Sequence, residues 1–463
     1  MKILLTHGYF LEEDEREKLI MKPYVPLGIL YISAYLGKNG FDNEIFDSTF
    51  SSFEKFKHNL KTNTPGIIGI YTNLMTKLNV LRIIKFIRSD AQLSGMKIIL
   101  GGPEVRNHAA EFLLHGADAL VIGEGEATML QLVKSFSPGG ADLSQVKGIA
   151  FITADKKIVI NEDQGLLKSI DELPFPNRNK IDLQKYFDVW KNAHGSSTLS
   201  LSTMRGCPYT CKWCSRAVYG GTYRRRSPRL VVDEIVSLQA QYIFDNIWFV
   251  DDVFTISHKW LTEFANEIET RKVKVRYEII TRADRMNEEV IDLLVKSGCF
   301  RVWIGAESGS QNVIDAMDRR VDVIQVREMI KLARKKGLEA GTFIMLGYPG
   351  ETQSDIKETI RHLNDSAPDY FTITLAYPIK GTPLYAETEN KFIDPQEWEI
   401  STDRDIDFKR TYSRRYYDFA LRWVHNEVAF KKNLRRGALM KLPVFKLKSI
   451  AAQGGMLIQR ILK

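Results

Sequence analysis

Three of the chain's four cysteines, Cys207, Cys211 and Cys214, fall within eight residues, in the stretch RGCPYTCKWCSRAVYGGTYRRRSP; the fourth, Cys299, stands alone far downstream. The spacing Cys-x3-Cys-x2-Cys puts three thiolates on one tight loop. Such thiolates can hold three irons of a [4Fe–4S] cluster, which leaves the fourth iron open to a ligand that is not protein. Zinc is the competing occupant. A structural zinc site takes four ligands, with Cys or His returning as a second pair, and no His lies between Trp213 and Asp251. Four cysteines in 463 residues do not make a disulfide framework, so the cluster reads as metal-binding thiol in a reducing compartment.

Two alternations of apolar runs and helical patterns surround this loop. In the first 140 or so residues, the runs KILLTHG, NEIFD, GIIGIYT, KIILGG and ADALVIG read as strands. LGILYISAYLGKNG, LNVLRIIKFIRSD and AAEFLLHG read as helices. Apolar strands interleaved with helices imply a parallel sheet covered on both faces, a doubly wound (Rossmann-like) domain. GIAFITADKKIVINED then predicts a hairpin, and DELPFPNRNKID a Pro-rich linker.

The second alternation has strand candidates TLSLST, NIWFVDD, VRYEIITRAD, RVWIGAESG, EAGTFIMLGYPG and YFTITLAYP, with five helical patterns between them. Six βα repeats predict a partial (βα)6 barrel of the TIM type, with its chemistry at the C-terminal strand ends. The cysteines follow the first of these strands. The expected fold class is therefore α/β. A doubly wound domain occupies 1–140, a hairpin and linker 141–195, a partial barrel 196–383, and a basic, mainly helical region 384–463.

The loop sequence Cys-x3-Cys-x-aromatic-Cys, with Trp213 in the aromatic slot, after the first strand of a six-repeat barrel resembles the radical S-adenosylmethionine (SAM) enzymes. The longer string RGCPYTCKWCSRAVYGGTYRRRSPRLVVDEI is similar to the subgroup with an N-terminal cobalamin-binding domain. That subgroup contains C-methylases and the anaerobic magnesium-protoporphyrin monomethyl ester cyclase. The resemblance implies a [4Fe–4S] cluster on Cys207, Cys211 and Cys214, with SAM chelating the open iron. It also implies reductive cleavage of SAM to methionine and a 5′-deoxyadenosyl radical, and methyl delivery from cobalamin to an unactivated carbon.

SAM contacts are then expected at later strand ends: Asp251, with Asp252 beside it, Arg282, Glu307, Ser308, and the turn at Gly347, Pro349 and Gly350. Each has a plainer role open to it, as a helix cap or a turn. A doubly wound domain binds its ligand beyond the C-terminal strand ends. There the glycines Gly28, Gly101, Gly102, Gly123 and Gly125 admit a ligand to the backbone, and Thr72, Asn73 and Thr128 offer small polar groups. The resemblance makes that ligand cobalamin. Two departures matter: no His follows an Asp at the Asp-x-His-x-x-Gly spacing, so that source of a lower cobalt ligand is absent, as is common in the subgroup, and Glu104 stands where GGPH is expected.

Charge is concentrated at one end. From Lys409 to Lys463 there are 14 Lys and Arg against Asp418 and Glu427, a balance of +12 within a chain of net +8, leaving the rest at −4. RRYYDFALRWVHNEVAFKKNLRRGALMKL predicts a helix ending near Gly437, with Tyr416, Phe419, Trp423, Phe430 and Leu434 on one face. A helix packed on the barrel, an anionic membrane surface and nucleic acid compete as its partner; no recognition motif accompanies the last. The apolar run in MKILLTHGYF is too short for a signal peptide, and a cytoplasmic protein, peripheral at the membrane surface in the second reading of its tail, is expected.

The preferred reading is methylation of an unactivated carbon of a small-molecule or lipid-like substrate, with electrons from a flavodoxin- or ferredoxin-like protein. Cyclisation, oxidation or ring rearrangement with the same cofactors, an iron–sulfur carrier or sensor without turnover, and a zinc-stabilised binding module remain open alternatives.

Overall fold

The structure is a computed structural model and describes residues 1–395 and 397–462. By contact the chain falls into two units: Met1–Pro208 with Ser215–Trp248 and Glu397–Thr402, and Tyr209–Cys214 with Phe249–Gln396 and Asp403–Lys463.

In the first unit, β1 (Ile3–His7), β2 (Glu44–Phe46), β3 (Ile67–Tyr71), β4 (Lys97–Gly101), β5 (Ala119–Val121), β6 (Ile149–Ile152) and β7 (Ile158–Ile160) form one sheet. Its order is β2-β1-β3-β4-β5-β6-β7. The first five strands run parallel, and β6 and β7 are antiparallel. Alternate residues of a strand face opposite sides, and the core obeys this. Ile68, Ile70, Ile98, Leu100 and Leu120 pack with Val80, Ile83, Ile84 and Ile87 of the helix Lys77–Ser89. Ile67, Ile99, Ala119 and Val121 pack instead with Ile29 and Leu36 of Leu27–Lys38 and with Met129, Leu132 and Val133 of Gly125–Ser135. Both faces of the sheet are therefore covered, as the doubly wound reading requires.

The second alternation gives β8 (Thr198–Leu201), a short antiparallel pair β9 (Met204–Arg205) and β10 (Arg224–Arg225), then β11 (Asn246–Phe249), β12 (Tyr277–Thr281), β13 (Cys299–Glu307), β14 (Glu339–Leu346) and β15 (Tyr370–Leu375). The six long strands lie in chain order, β8-β11-β12-β13-β14-β15, and the registers from β12 to β15 are parallel. This is the expected half-barrel. Its helices start where side chains can satisfy the free N–H groups of the first turn. Asn287 caps Glu288–Lys296, Asp322 caps Val323–Lys335, and Thr352 with Asp355 forms a capping box on Gln353–Ser366.

The basic region folds as two helices, Arg414–Arg435 and Leu442–Ile461, separated at Gly437, whose φ of +70° suits glycine. The expected apolar face of the first is partly inside. Tyr416 and Trp423 are buried, Phe419 and Phe430 half-buried, and Leu434 exposed; Tyr417, Ala420, Val424 and Val428 complete the buried side. Among the described residues no helix is long and apolar enough to cross a membrane.

Candidate active site

The cysteine loop opens immediately after β9. Cys207 is half-buried, Cys211 buried and Cys214 exposed, and none of the four cysteines forms a disulfide. Among the described residues no group of three His, Cys, Asp or Glu side chains is arranged as a metal site. The chemistry around Cys211 nonetheless suits a cluster. The Arg319 guanidinium lies 3.5 Å from its Sγ and that of Arg282 3.8 Å, so two charge-assisted donors are aimed at one sulfur. An iron-bound thiolate is an acceptor of this kind, and hydrogen bonds to cluster sulfurs are among the protein's means of tuning such a centre. Trp213 packs onto the apolar cluster of Val313, Met317, Met345, Tyr348, Ala376 and Leu384, which anchors the middle of the loop.

Arg282 ends β12 and is 1% exposed. It donates to Asp284 at 2.8 Å and to the carbonyl of Arg319 at 2.8 Å, and its guanidinium lies 3.7 Å from the Tyr209 ring centroid. Glu307 ends β13 beyond a register shift at Gly305, with φ +65°, the left-handed region that non-glycine residues rarely adopt. Its carboxylate lies 3.6 Å from Arg319. Burial raises the Glu307 pKa, and Arg319 and Arg282 act against that. Arg319 was not legible in the sequence as a site residue. It connects Glu307, the Gly305 carbonyl and Cys211.

The other expected SAM residues are placed less suggestively. Asp251 is buried and Asp252 exposed. The Ser308 hydroxyl accepts the Ser310 N–H at 3.2 Å and pairs with Thr359 at 3.3 Å, so it also fastens the strand end to the helix Gln353–Ser366. Gly347 has φ +76°, and a Cβ there would lie 3.2 Å from Arg410 and 3.6 Å from Tyr417, which pack on the turn. Pro349 is half-buried and Gly350 exposed.

Directly after that turn, Glu351 is fully buried. One carboxylate oxygen accepts the Gly347 N–H at 2.6 Å; the other has no partner, as is also true of the buried Tyr416 and Tyr417 hydroxyls. Burial pushes the Glu351 carboxyl up to about 8, helped by Asp355 and opposed by the Gly347 N–H. The folded chain thus keeps this proton in a range where the unfolded chain, at the ordinary 4.5, has lost it. Stability should fall as pH rises from about 4.5 to about 8, by up to about 1.4 kcal/mol per pH unit, and level off above. Glu351→Gln, which keeps the Gly347 bond and removes the titration, should flatten the melting temperature across that range; an unchanged slope would assign it to other groups.

In the first unit, the strand-end loops offer a cradle of small residues. Gly102 has φ +114°, and a Cβ would overlap the Thr72 carbonyl oxygen. The Thr72 and Thr128 hydroxyls are buried without a hydrogen-bond partner, an arrangement native structures rarely keep without a ligand or water. These features fit a corrin ring rimmed by amides. Asn73 serves its own turn, accepting the N–H groups of Met75 and Thr76 at 3.0 Å each. Gly101 closes β4 and is half-buried; Gly123, at φ +99°, precedes the helix that Gly125 opens against Ile32. Gly28 is exposed in the first turn of Leu27–Lys38. Glu104 is buried, 3.9 Å from His108.

The loop GEGEA holds a second feature hidden from the sequence. Its two carboxylates are buried on Arg205, which lies 2.9 Å from Glu124 and 2.5 Å from Glu126; Arg224 adds a bond of 2.7 Å to Glu124. Burial raises the Glu124 pKa, but the bonds from Arg224 and Arg205 outweigh it and hold the carboxyl below its ordinary range. Arg224 and the two arginines that follow it are all engaged. Arg225 donates to Thr203, and Arg226 to Glu234, which also pairs with Arg178 at 3.2 Å.

Comparison with known proteins agrees with this layout. Residues 21–133 match the B12 binding domain, and residues 201–363 match the radical SAM superfamily. An uncharacterized methyltransferase of Pyrococcus horikoshii is 28% identical over 88% of this chain and 87% of its own. The anaerobic magnesium-protoporphyrin IX monomethyl ester cyclase of Rubrivivax gelatinosus is 28% identical over 84% of this chain and 70% of its own. Among solved structures, the radical SAM methyltransferase TsrM of Kitasatospora setae, with cobalamin and a [4Fe–4S] cluster bound, superposes with a TM-score of 0.69 at 19% identity, covering 83% of this chain and 74% of that one. The chain thus carries a B12-binding domain ahead of a radical SAM domain, and the cofactors of that pair of domains are a [4Fe–4S] cluster, SAM and cobalamin.

Proposed function

We propose that the chain is a cobalamin-dependent radical SAM C-methyltransferase acting on an unactivated carbon of a small-molecule or lipid-like substrate. The observation that carries this is the fastening of Glu124 and Glu126, on the B12-domain loop, to Arg205, two residues ahead of Cys207. It ties the loop offered to the corrinoid to the strand that leads into Cys207. Relatives named methyltransferase support the same reading.

When bound, the cluster and SAM supply one-electron cleavage of SAM, and the corrinoid supplies the methyl group. The chain's own residues do the rest. Cys207, Cys211 and Cys214 hold the iron, with Trp213 bracing their loop. Arg282 and Arg319 place positive charge at Cys211; the Nε and Nη2 of Arg282 are held by Asp284 and by the Arg319 and Arg320 carbonyls, so its Nη1 is the group proposed to face the SAM carboxylate. Glu307, Asp251, Ser308 and the turn Gly347, Pro349 and Gly350 complete the proposed SAM contacts. Gly28, Thr72, Asn73, Gly101, Gly102, Gly123, Gly125 and Thr128 line the corrinoid side. A flavodoxin- or ferredoxin-like protein is the proposed electron donor.

Cyclisation is the second reading, favoured by the cyclase relatives. Anaerobic reconstitution with iron, sulfide and hydroxocobalamin, then reduction with SAM, separates the cases. 5′-Deoxyadenosine together with retained corrinoid, and a substrate that gains the mass of a methylene, supports methylation. 5′-Deoxyadenosine with a product that gains no carbon points to cyclisation. 5′-Deoxyadenosine without retained corrinoid sinks the methylase reading, and neither signal from cluster-loaded protein points to a carrier or sensor.

A further inference from the structure

The last helix, Leu442–Ile461, packs on the helix Arg414–Arg435 through a face of small and medium side chains. Ser449, Ala452 and Met456 are buried, Ser449 bonds to Glu427, and Gly455 sits against the Phe419 ring. The opposite face is apolar and uncovered. Val444, Leu447, Ile450, Leu457, Ile458 and Ile461 are between 51% and 74% exposed. At about 100° per residue these six fall in one stripe roughly 140° wide, with Ala451 and Gly454 inside it. No charged residue of the helix falls in the stripe; Lys446 and Lys448 flank it on either side. Just before it, Leu439 and Met440 are 62% and 95% exposed. A contiguous apolar face of this length marks a binding surface in a water-soluble protein.

Charge identifies what it fits. From Lys431 to Lys463 there are nine Lys and Arg and no Asp or Glu. Lys446 takes Glu427 at 3.3 Å, while Lys441 and Lys448 make no ion pair among the described residues. A second copy seated on the stripe would bring two strongly basic rims together. An anionic lipid surface meets both features, because apolar side chains enter the acyl boundary while lysine stems reach back to the headgroups.

We propose that the helix Leu442–Ile461 is an in-plane membrane anchor that docks the chain on anionic bilayers. The face belongs to the last helix, not to the aromatic helix before it, whose apolar side is largely committed to the fold. This does not depend on the methyl-transfer reading, and its test reads binding without turnover.

The full-length protein is floated with phosphatidylglycerol or phosphatidylcholine vesicles at low and high salt, and its mass is measured by light scattering. We expect at least about tenfold preference for phosphatidylglycerol, weakened by salt, and a loss of about tenfold or more in Leu447→Glu/Ile458→Glu with an unchanged melting curve. Leu447→Gln/Ile458→Gln replaces that pair if it fails to fold. Lys441→Glu/Lys448→Glu should reduce binding to the anionic vesicles alone. No vesicle binding, equal binding to both lipids, or binding untouched by the stripe substitutions would overturn the proposal. A dimer that those substitutions dissociate, in protein that ignores vesicles, would assign the face to a second copy instead.

Discussion

Cys211→Ser should bring iron and sulfide in the reconstituted protein down to background and cut SAM cleavage by at least about 10³-fold, some 4 kcal/mol of barrier. A serine hydroxyl is a poor substitute for a soft thiolate on iron, and at Cys211 the loss is compounded. Arg282 and Arg319 converge on this sulfur, so their charge would then face an oxygen that stays protonated. Cys299→Ser is the matched control. That thiol is buried, donates to the Arg301 carbonyl at 3.3 Å and is pushed above its ordinary pKa by burial. The control should keep its full iron content. Equal iron loss in both variants would mean that misfolding, and not ligand removal, explains the first. Full iron in Cys211→Ser would remove Cys211 from the ligand set.

Arg205→Met should destabilise the first unit by about 3–5 kcal/mol, the usual consequence of removing one partner from a buried ion pair. Glu124 keeps Arg224, but Glu126 is left buried opposite an apolar side chain. Thermal melting reads the loss. Arg205→Met/Glu126→Leu removes charge and partner together and should recover much of it, because a well-packed apolar pair is tolerated where half an ion pair is not. Failure of the double variant to recover would show that Arg205 acts through its other contacts. pH supplies a second reading. Because the Glu124 pKa is held down, the stability it contributes is complete above its ordinary 4.5 and is lost as pH falls through the folded value. Losing Arg205 should move that acid limb upward.

How far the sequence carried these conclusions depended on distance along the chain. Strands β3 and β4 were legible because Ile67–Tyr71 and Lys97–Gly101 are short apolar runs between turns. Of the helices that went unread, three did so for plain local reasons. Gly125–Ser135 begins inside a Gly-Glu-Gly-Glu string that reads as a turn, Leu183–His194 follows directly on the Pro-rich linker, and Phe53–Asn63 carries only three buried side chains among lysines and asparagines. The cysteines were legible by count and spacing alone. Arg319 was not, because it meets Cys211 across 108 residues, and neither was the pairing of Arg205 with Glu126 across 79. Such partners are chosen by the fold, and nothing local announces them. The left-handed backbone at Glu307 is equally silent in sequence, where a glycine would have signalled it.

The buried carboxylates of the GEGEA loop bear on how such chains can be recombined. Their partners, Arg205 and Arg224, lie on the far side of the Pro-rich stretch around residues 173–176. A hybrid joined at that stretch, with its front half from this chain and its back half from another enzyme, would bury Glu124 and Glu126 and depend on the foreign half for arginines in the places of Arg205 and Arg224. Exchange between natural relatives faces the same constraint. The junction that looks most permissive by composition is thus one where shuffling separates charges that must travel together, and a workable hybrid carries its splice point past Arg224.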